Sequence, residues 1–198
     1  MQTIPLEDFT LQIAFARAKL GDLKDSSGTL IFDHALRVFL LLAETFAACD
    51  RAIDSEESEM LSAALFHDLL EDTDASREEI IRHSSQNTLR YVEELTITFE
   101  GKTIPAAVQS VQEISEPAFL VKLADIHDNC TKSRFLAREG GENFFLGFFQ
   151  PLIEEYQRIV TMRLGGCASY KAEAERLARG IDESAERMRA VVHCLWKN

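Results

Sequence analysis

Apolar residues recur at intervals of three and four along most of the chain, the spacing that lines one face of a helix. Phe9, Ile13, Ala16 and Leu20 form such a stripe on a first helix from about Leu6 to Leu20. Ile31, Ala35, Val38 and Leu42 form another on a second helix from Thr29 to Ala48. The segment between them, GDLKDSSG from Gly21 to Gly28, is polar and reads as a loop. SEESEM opens a third helix with Ser55 as its N-cap, and Glu56, Glu57 and Glu59 lie where negative charge complements the helix dipole. From Met60 to Leu70 this helix is apolar nearly all round, which predicts a central position. Ser76 and Glu79 have capping-box spacing and start a short helix.

The later half is read in the same way. Leu89 to Phe99 is ambiguous: Val92 and Leu95 suit a helix, whereas the β-branched and aromatic TITF favours extended chain. Ser115, Glu116 and Pro117 start a helix that runs through Phe119, Val121, Leu123 and Ile126. Gly140 and Gly141 precede a long helix from Glu142 to Leu164, and Gly165 and Gly166 precede a last one from about Ser169 to Trp196, disturbed at Gly180. Trp196 either ties that helix down or meets a second subunit. No repeat, low-complexity tract or linker is found. The expectation is an all-α, single-domain helical bundle over residues 1–198.

Composition narrows the partners. The chain has 198 residues, 46% hydrophobic and 27% charged, the balance of a globular protein. Lys and Arg total 21 against 33 Asp and Glu, a net charge of −12, which argues against a nucleic acid polymer or an anionic membrane surface as partner. A small anionic ligand remains open, because one metal ion outweighs a distant negative surface. Cys49, Cys130, Cys167 and Cys194 form no CxxC pair and are expected to be reduced thiols. The opening MQTIPLEDFTLQ has no signal-peptide pattern, and apolar stretches such as Val38 to Ala43 are too short to span a bilayer. A cytoplasmic location is therefore expected.

Four pieces carry candidate chemistry: His34 in IFDHALRV, His67 and Asp68 in ALFHDLLED, Glu71 and Asp72 in that same segment, and Asp125 in KLADIHDN. The His67-Asp68 pair ends an apolar run, where ionisable side chains are costly unless paired or metal-bound. Imidazole and carboxylate together suit a divalent transition metal. Glu71, four residues beyond His67, projects to the same side one turn later. A lone histidine on an apolar face is more often a satisfied core residue than a ligand, so the ordered set matters more than any member. His127 reads as a surface or supporting residue, and His83 and His193 as solvent-facing. Phe144, Phe145, Phe148 and Phe149 have helical spacing and read as core rather than as a base-stacking platform.

The order His34, His67-Asp68, Asp125 resembles the H…HD…D ligand set of the HD phosphohydrolase superfamily, whose fold is all-helical. HDLLEDT is similar to the HDxxED motif of the RelA/SpoT hydrolase branch; KDSSGTLIFDH resembles its basic loop before the first metal histidine, and LVKLADIHDN its KLAD segment. LTITFEGKTIP loosely resembles the segment after the central helices, and the likeness spans about Leu6 to Ile159 with no synthetase domain following. The resemblance implies a stand-alone small alarmone hydrolase that removes the 3′-pyrophosphate of (p)ppGpp, usually with manganese. It implies His34, His67, Asp68 and Asp125 as metal ligands and Glu71 and Asp72 as the water-activating pair. Lys24, Lys102, Asn129 and Tyr156 are then the substrate-binding residues. A homo-oligomer is possible within this reading. The departures concern substrate recognition. Ile31 replaces an aromatic residue, AAVQSVQE lacks the family's basic residues, and Leu152 stands at an arginine position. Ile126, His127 and Asp128 replace a basic, apolar and histidine pattern before Asn129. The other readings kept open are an HD phosphohydrolase acting on another nucleotide or phosphoester, and a metal- and nucleotide-binding module without turnover.

Overall fold

The computed structural model describes residues 6–25, 28–139 and 141–196, with the backbone alone at 6–7, 133–139 and 196. A 3₁₀ turn at Leu6–Phe9 leads into α1 (Thr10–Leu20), followed by α2 (Ile31–Ala48), α3 (Ser55–Phe66), α4 (Leu69–Asp72) and α5 (Arg77–His83). Then come α6 (Gln86–Leu95), α7 (Ile104–Val108), α8 (Glu116–Glu139), α9 (Glu142–Phe144), α10 (Gln150–Arg163) and α11 (Lys171–Trp196). A π-helical turn at Phe145–Phe149 joins α9 to α10. Among the described residues there is no strand, only an isolated antiparallel bridge between Lys24 and Leu30. The fold is all-α, as the apolar spacing predicts.

The core is built around α8, which packs against α2, α3, α6, α10 and α11. Residues 118–126 of α8 are buried without exception, and so are residues 60–66 of α3. Each large apolar side chain removed from water there contributes roughly 1.5–3 kcal/mol. Lys122 and Asp125 lie within this apolar stretch, and a buried charge persists only when it is paired or bound. The fold therefore holds its polar groups at the centre against a large desolvation cost.

Several helix ends differ from the sequence expectation. The N-cap of α3 is Asp54, not Ser55: its carboxylate accepts from Glu56 N at 2.9 Å and Glu57 N at 3.5 Å, while Glu57 reaches back to Asp54 N. The apolar run does not continue as one helix to Leu70; α3 stops at Phe66, and His67 and Asp68 form the turn before α4. The second helix begins at Ile31 because Thr29 is held in the loop, its N–H donating to the Asp25 side chain at 3.1 Å. Leu89 to Phe99 divides as its two signals suggest, helical to Leu95 and non-helical from Thr96 to Phe99. The Ser76–Glu79 capping box forms as expected.

Gly180 leaves α11 unbroken. A Cβ there would meet His127 Cε1 at 2.5 Å, so the glycine lets the imidazole of α8 lie against the backbone of α11. His83 is half-buried and stacked on Phe15 at 4.1 Å rather than facing solvent. Ser26 and Ser27 of the first loop, Gly140 and the Trp196 side chain lie outside the described residues. Among the described residues no helix is long and apolar enough to cross a membrane.

Candidate metal centre and its cavity

The turn that ends α3 aims its histidine. His67 Nδ1 lies 2.9 Å from the Ala64 carbonyl oxygen, which only accepts, so Nδ1 carries the proton and Nε2 keeps its lone pair. On α2, His34 Nδ1–H donates to Asp128 Oδ2 at 2.7 Å, again turning Nε2 inward. The two Nε2 atoms approach to 3.3 Å. Asp125 Oδ1, from α8, lies 3.1 Å from His34 Nε2 and 3.8 Å from His67 Nε2. Asp68 Oδ1 lies 3.1 Å from His67 Nε2, and its Oδ2 is 3.9 Å from His34 Nε2. One ligand atom each from His34, His67 and Asp68 fall within 4.8 Å of one another. Four residues from two helices and one turn thus bring two imidazole nitrogens and two carboxylates close together. That donor set fits a divalent transition metal.

Electrostatics support the arrangement. Burial alone would raise the Asp125 carboxyl, but the Lys122 ammonium and the two imidazoles hold it well below the usual carboxylate range. Lys122 Nζ donates to Asp125 Oδ2 at 2.8 Å, and Asn129 Nδ2 donates to Oδ1 at 2.6 Å. Burial opposes a charged imidazole at His34, yet Asp125 and Asp128 outweigh it and push its pKa up to about 9. A proton therefore fills, without metal, the place between acidic partners that a cation would take.

These four residues form part of the wall of an open cavity of about 250 Å³. Glu71 and Asp72 of α4 line it, with Leu95, Ile97, Phe99, Phe144, Phe148, Leu152 and Tyr156 as an apolar wall. Glu71 as a residue is exposed, but its carboxylate turns inward and accepts from Ile97 N–H at 2.6 Å. Loss of hydration, with Asp68 and Asp125 adding to it, pushes Glu71 up to about 7 against the pull of Ile97 N–H and Lys122. Partial burial and Asp68 also raise Asp72. The extended chain after α6, which TITF favours, supplies the N–H that orients Glu71.

No protein-family model matches the chain. It is 33% identical to guanosine-3′,5′-bis(diphosphate) 3′-pyrophosphohydrolase MESH1 of Mus musculus and 34% identical to that of Homo sapiens, in each case over 52% of this chain and 55% of the relative. The chain thus spans about half the length of the MESH1 proteins it matches. A guanosine-3′,5′-bis(diphosphate) 3′-pyrophosphohydrolase of Aquifex aeolicus is 30% identical over 67% of this chain and 18% of the relative. A solved structure of a metazoan orthologue of SpoT, which hydrolyses ppGpp and plays a role in starvation responses, superposes with a TM-score of 0.66 at 25% identity. That superposition covers 96% of this chain and 99% of the other. The chain shares the all-helical fold of that orthologue.

The substrate-binding expectations divide. Asn129 and Tyr156 line the cavity, Asn129 engaged with Asp125 and Tyr156 lying 5.4 Å from Lys122 Nζ. Lys24 and Lys102 are exposed and stand outside the cavity lining. The cations that line it are Lys122, paired with Asp125, and Lys132, whose Nζ donates to Asp25 Oδ2 at 3.0 Å. The aromatic cluster also divides: Phe145 is fully buried, whereas half-buried Phe144 and Phe148 line the cavity, Phe148 in edge contact with Phe99.

Asp25, Arg37, Lys122, Asp128 and Lys132 were not singled out by sequence reasoning. A signal existed for part of this set. Lys122, Asp125, Asn129 and Lys132 recur at three, four and three residues, a polar stripe on one face of a helix whose first half is otherwise mostly apolar.

Proposed function

We propose that this chain is a metal-dependent phosphohydrolase that removes the 3′-pyrophosphate of (p)ppGpp, giving GDP or GTP and pyrophosphate. The observation that carries the reading is the convergence of His34, His67, Asp68 and Asp125 on one wall of a cavity also lined by Glu71 and Asp72. The names of its relatives support the substrate. A divalent ion held by those four residues, manganese in this reading, would lower the pKa of water and neutralise charge on the phosphoryl group.

The chain's own residues supply the rest. Glu71, oriented by Ile97 N–H, takes the proton of the attacking water, and a carboxylate with a pKa near 7 is suited to that transfer. Asp72 on the same short helix helps to orient the water. Lys122 keeps Asp125 ionised, and Phe99, Phe144 and Phe148 offer the nucleoside an apolar wall. Among the described residues, and besides its two imidazoles, the cavity is lined by five carboxylates (Asp25, Asp68, Glu71, Asp72 and Asp125) and two lysines. An anionic substrate therefore depends on a bound cation to reverse the local field.

A second reading, an HD phosphohydrolase for another nucleotide or phosphoester, is favoured by one observation: both lining lysines are already paired with carboxylates. Purified protein with Mn²⁺ is to be assayed against (p)ppGpp, dNTPs, cyclic nucleotides and simple phosphoesters. Pyrophosphate release from (p)ppGpp alone is the expected result. Turnover of a different substrate would replace the first reading with the second, and tight binding without any turnover would defeat both.

A further inference from the structure

His34 is held by a device that differs from the one holding His67. His67 rests on a neutral backbone carbonyl, whereas His34 Nδ1–H donates to a buried carboxylate, Asp128, at 2.7 Å. Asp128 is itself gripped by Arg37, whose Nε donates to Oδ1 at 2.8 Å and whose Nη2 donates to Oδ2 at 3.1 Å. The four residues form two rows across facing helices. His34 and Arg37 are three apart on α2, and Asp125 and Asp128 are three apart on α8. The inner row, His34 with Asp125, faces the cavity; the outer row, Arg37 with Asp128, reaches the surface, where the Arg37 side chain is 41% exposed. Asp128 also stands where the resembling family has a histidine.

We infer that Asp128 and Arg37 are a positioning pair for His34, fixing its ring and its Nδ1–H tautomer so that Nε2 is presented to the metal centre. The inference rests on the metal-dependent reading above. Three facts support it. The Asp128 carboxylate is 7% exposed, so it has little water to orient it and depends on its two protein partners. Arg37 supplies the counter-charge in a two-pronged geometry, which fixes the plane of the carboxylate as well as its position. Histidine metal ligands commonly donate the other ring N–H to a carboxylate, which orients the ring and makes it a better ligand. Neither residue touches the reacting atoms in this arrangement; both act through His34.

The test is metal affinity, measured by chelator competition for Mn²⁺ on metal-free protein whose fold is checked by circular dichroism. Asp128→Ala should bind Mn²⁺ about 10–100-fold more weakly, the usual loss for such outer partners. Asp128→Asn, which keeps an acceptor oxygen, should recover much of that loss, and Arg37→Gln should weaken binding severalfold. With diamagnetic Zn²⁺ bound, long-range ¹⁵N–¹H correlation should show the His34 Nδ1–H tautomer in wild type and in Asp128→Asn. In Asp128→Ala its protected Nδ1 proton should be lost. A folded Asp128→Ala with wild-type affinity and an unchanged His34 signal would overturn the inference. If Asp128→Ala does not fold, unchanged affinity in the surface variant Arg37→Gln overturns it instead. Wild-type protein that binds no Mn²⁺ does so too. Losses of affinity in these variants alongside intact (p)ppGpp would support the pair while removing the proposed substrate.

Discussion

Glu71 is a carboxylate on which opposing forces meet. Loss of hydration and neighbouring acids raise its pKa to about 7, from an ordinary 4.5, while Ile97 N–H and Lys122 pull it down. As the proposed base it must be deprotonated, so kcat/KM should fall as pH drops through the neutral range. A dication bound nearby stabilises the carboxylate and moves that midpoint lower, so about 7 is its upper limit. Glu71→Gln should keep Mn²⁺ and lose about 10²–10⁴ in kcat, the usual contribution of a general base. Asp68→Ala, lacking a ligand, should lose both metal and turnover. Pairing kcat measurements with chelator competition on the same two proteins separates the roles. Full activity in Glu71→Gln would remove Glu71 as the base.

At the scale of elements, the contact between α8 and α11 depends on Gly180. Placing alanine there sets two effects against each other. Alanine is favoured over glycine in a helix by about 1 kcal/mol. The new Cβ would stand 2.5 Å from His127 Cε1, and overpacking of that kind costs roughly 1–3 kcal/mol. The second effect wins, so Gly180→Ala should lower stability by up to about 2 kcal/mol in urea unfolding. In a His127→Ala background the obstacle is gone, and the same substitution should become stabilising by up to about 1 kcal/mol. This reversal of sign is a double-mutant coupling, and two additive substitutions would show that the contact is not what selects glycine.

The same pair of helices shows what a sequence can and cannot reveal. Gly180 in an amphipathic run suggests a disturbance, because the partner that requires a glycine lies 53 residues earlier in the chain. His34, His67, Asp68 and Asp125 are legible because each is embedded in a recognisable local motif. Arg37 and Asp128 are not, since their meaning lies in the register of α2 against α8, which no local pattern encodes. The turn at His67 and Asp68 is hidden for a related reason: neither glycine nor proline marks it, and the apolar run continues through it. Lys24 and Lys102 have the right charge in segments resembling the right motifs, but the paths of their loops leave both exposed and outside the cavity lining.

For the whole molecule, the proposed metal centre would link stability to pH with opposite signs in the two states. In the metal-free protein His34 has a pKa near 9 against an ordinary 6.5, because Asp125 and Asp128 overcome its burial. A raised pKa gives stability that is fully present below 6.5 and is lost as pH rises through about 9. Asp125 and Asp128 are both held below the usual range, so they add no slope in this window. Metal binding reverses the dependence. A ligand histidine must give up its Nε2 proton, so affinity should improve by up to about tenfold per pH unit toward 9, with protons released on binding. Excess metal stabilises the folded state by about 2.7 kcal/mol at a hundred times its Kd. The gap between melting temperatures with Mn²⁺ and with EDTA should therefore widen from pH 7.5 to 8.5, the metal-free midpoint falling while the loaded one holds. That window lies above the Glu71 midpoint of about 7, so this carboxylate contributes less to the trend than His34. A gap that stays constant or narrows would mean that His34 does not exchange its proton for the ion, and the ligand set would have to be redrawn without it.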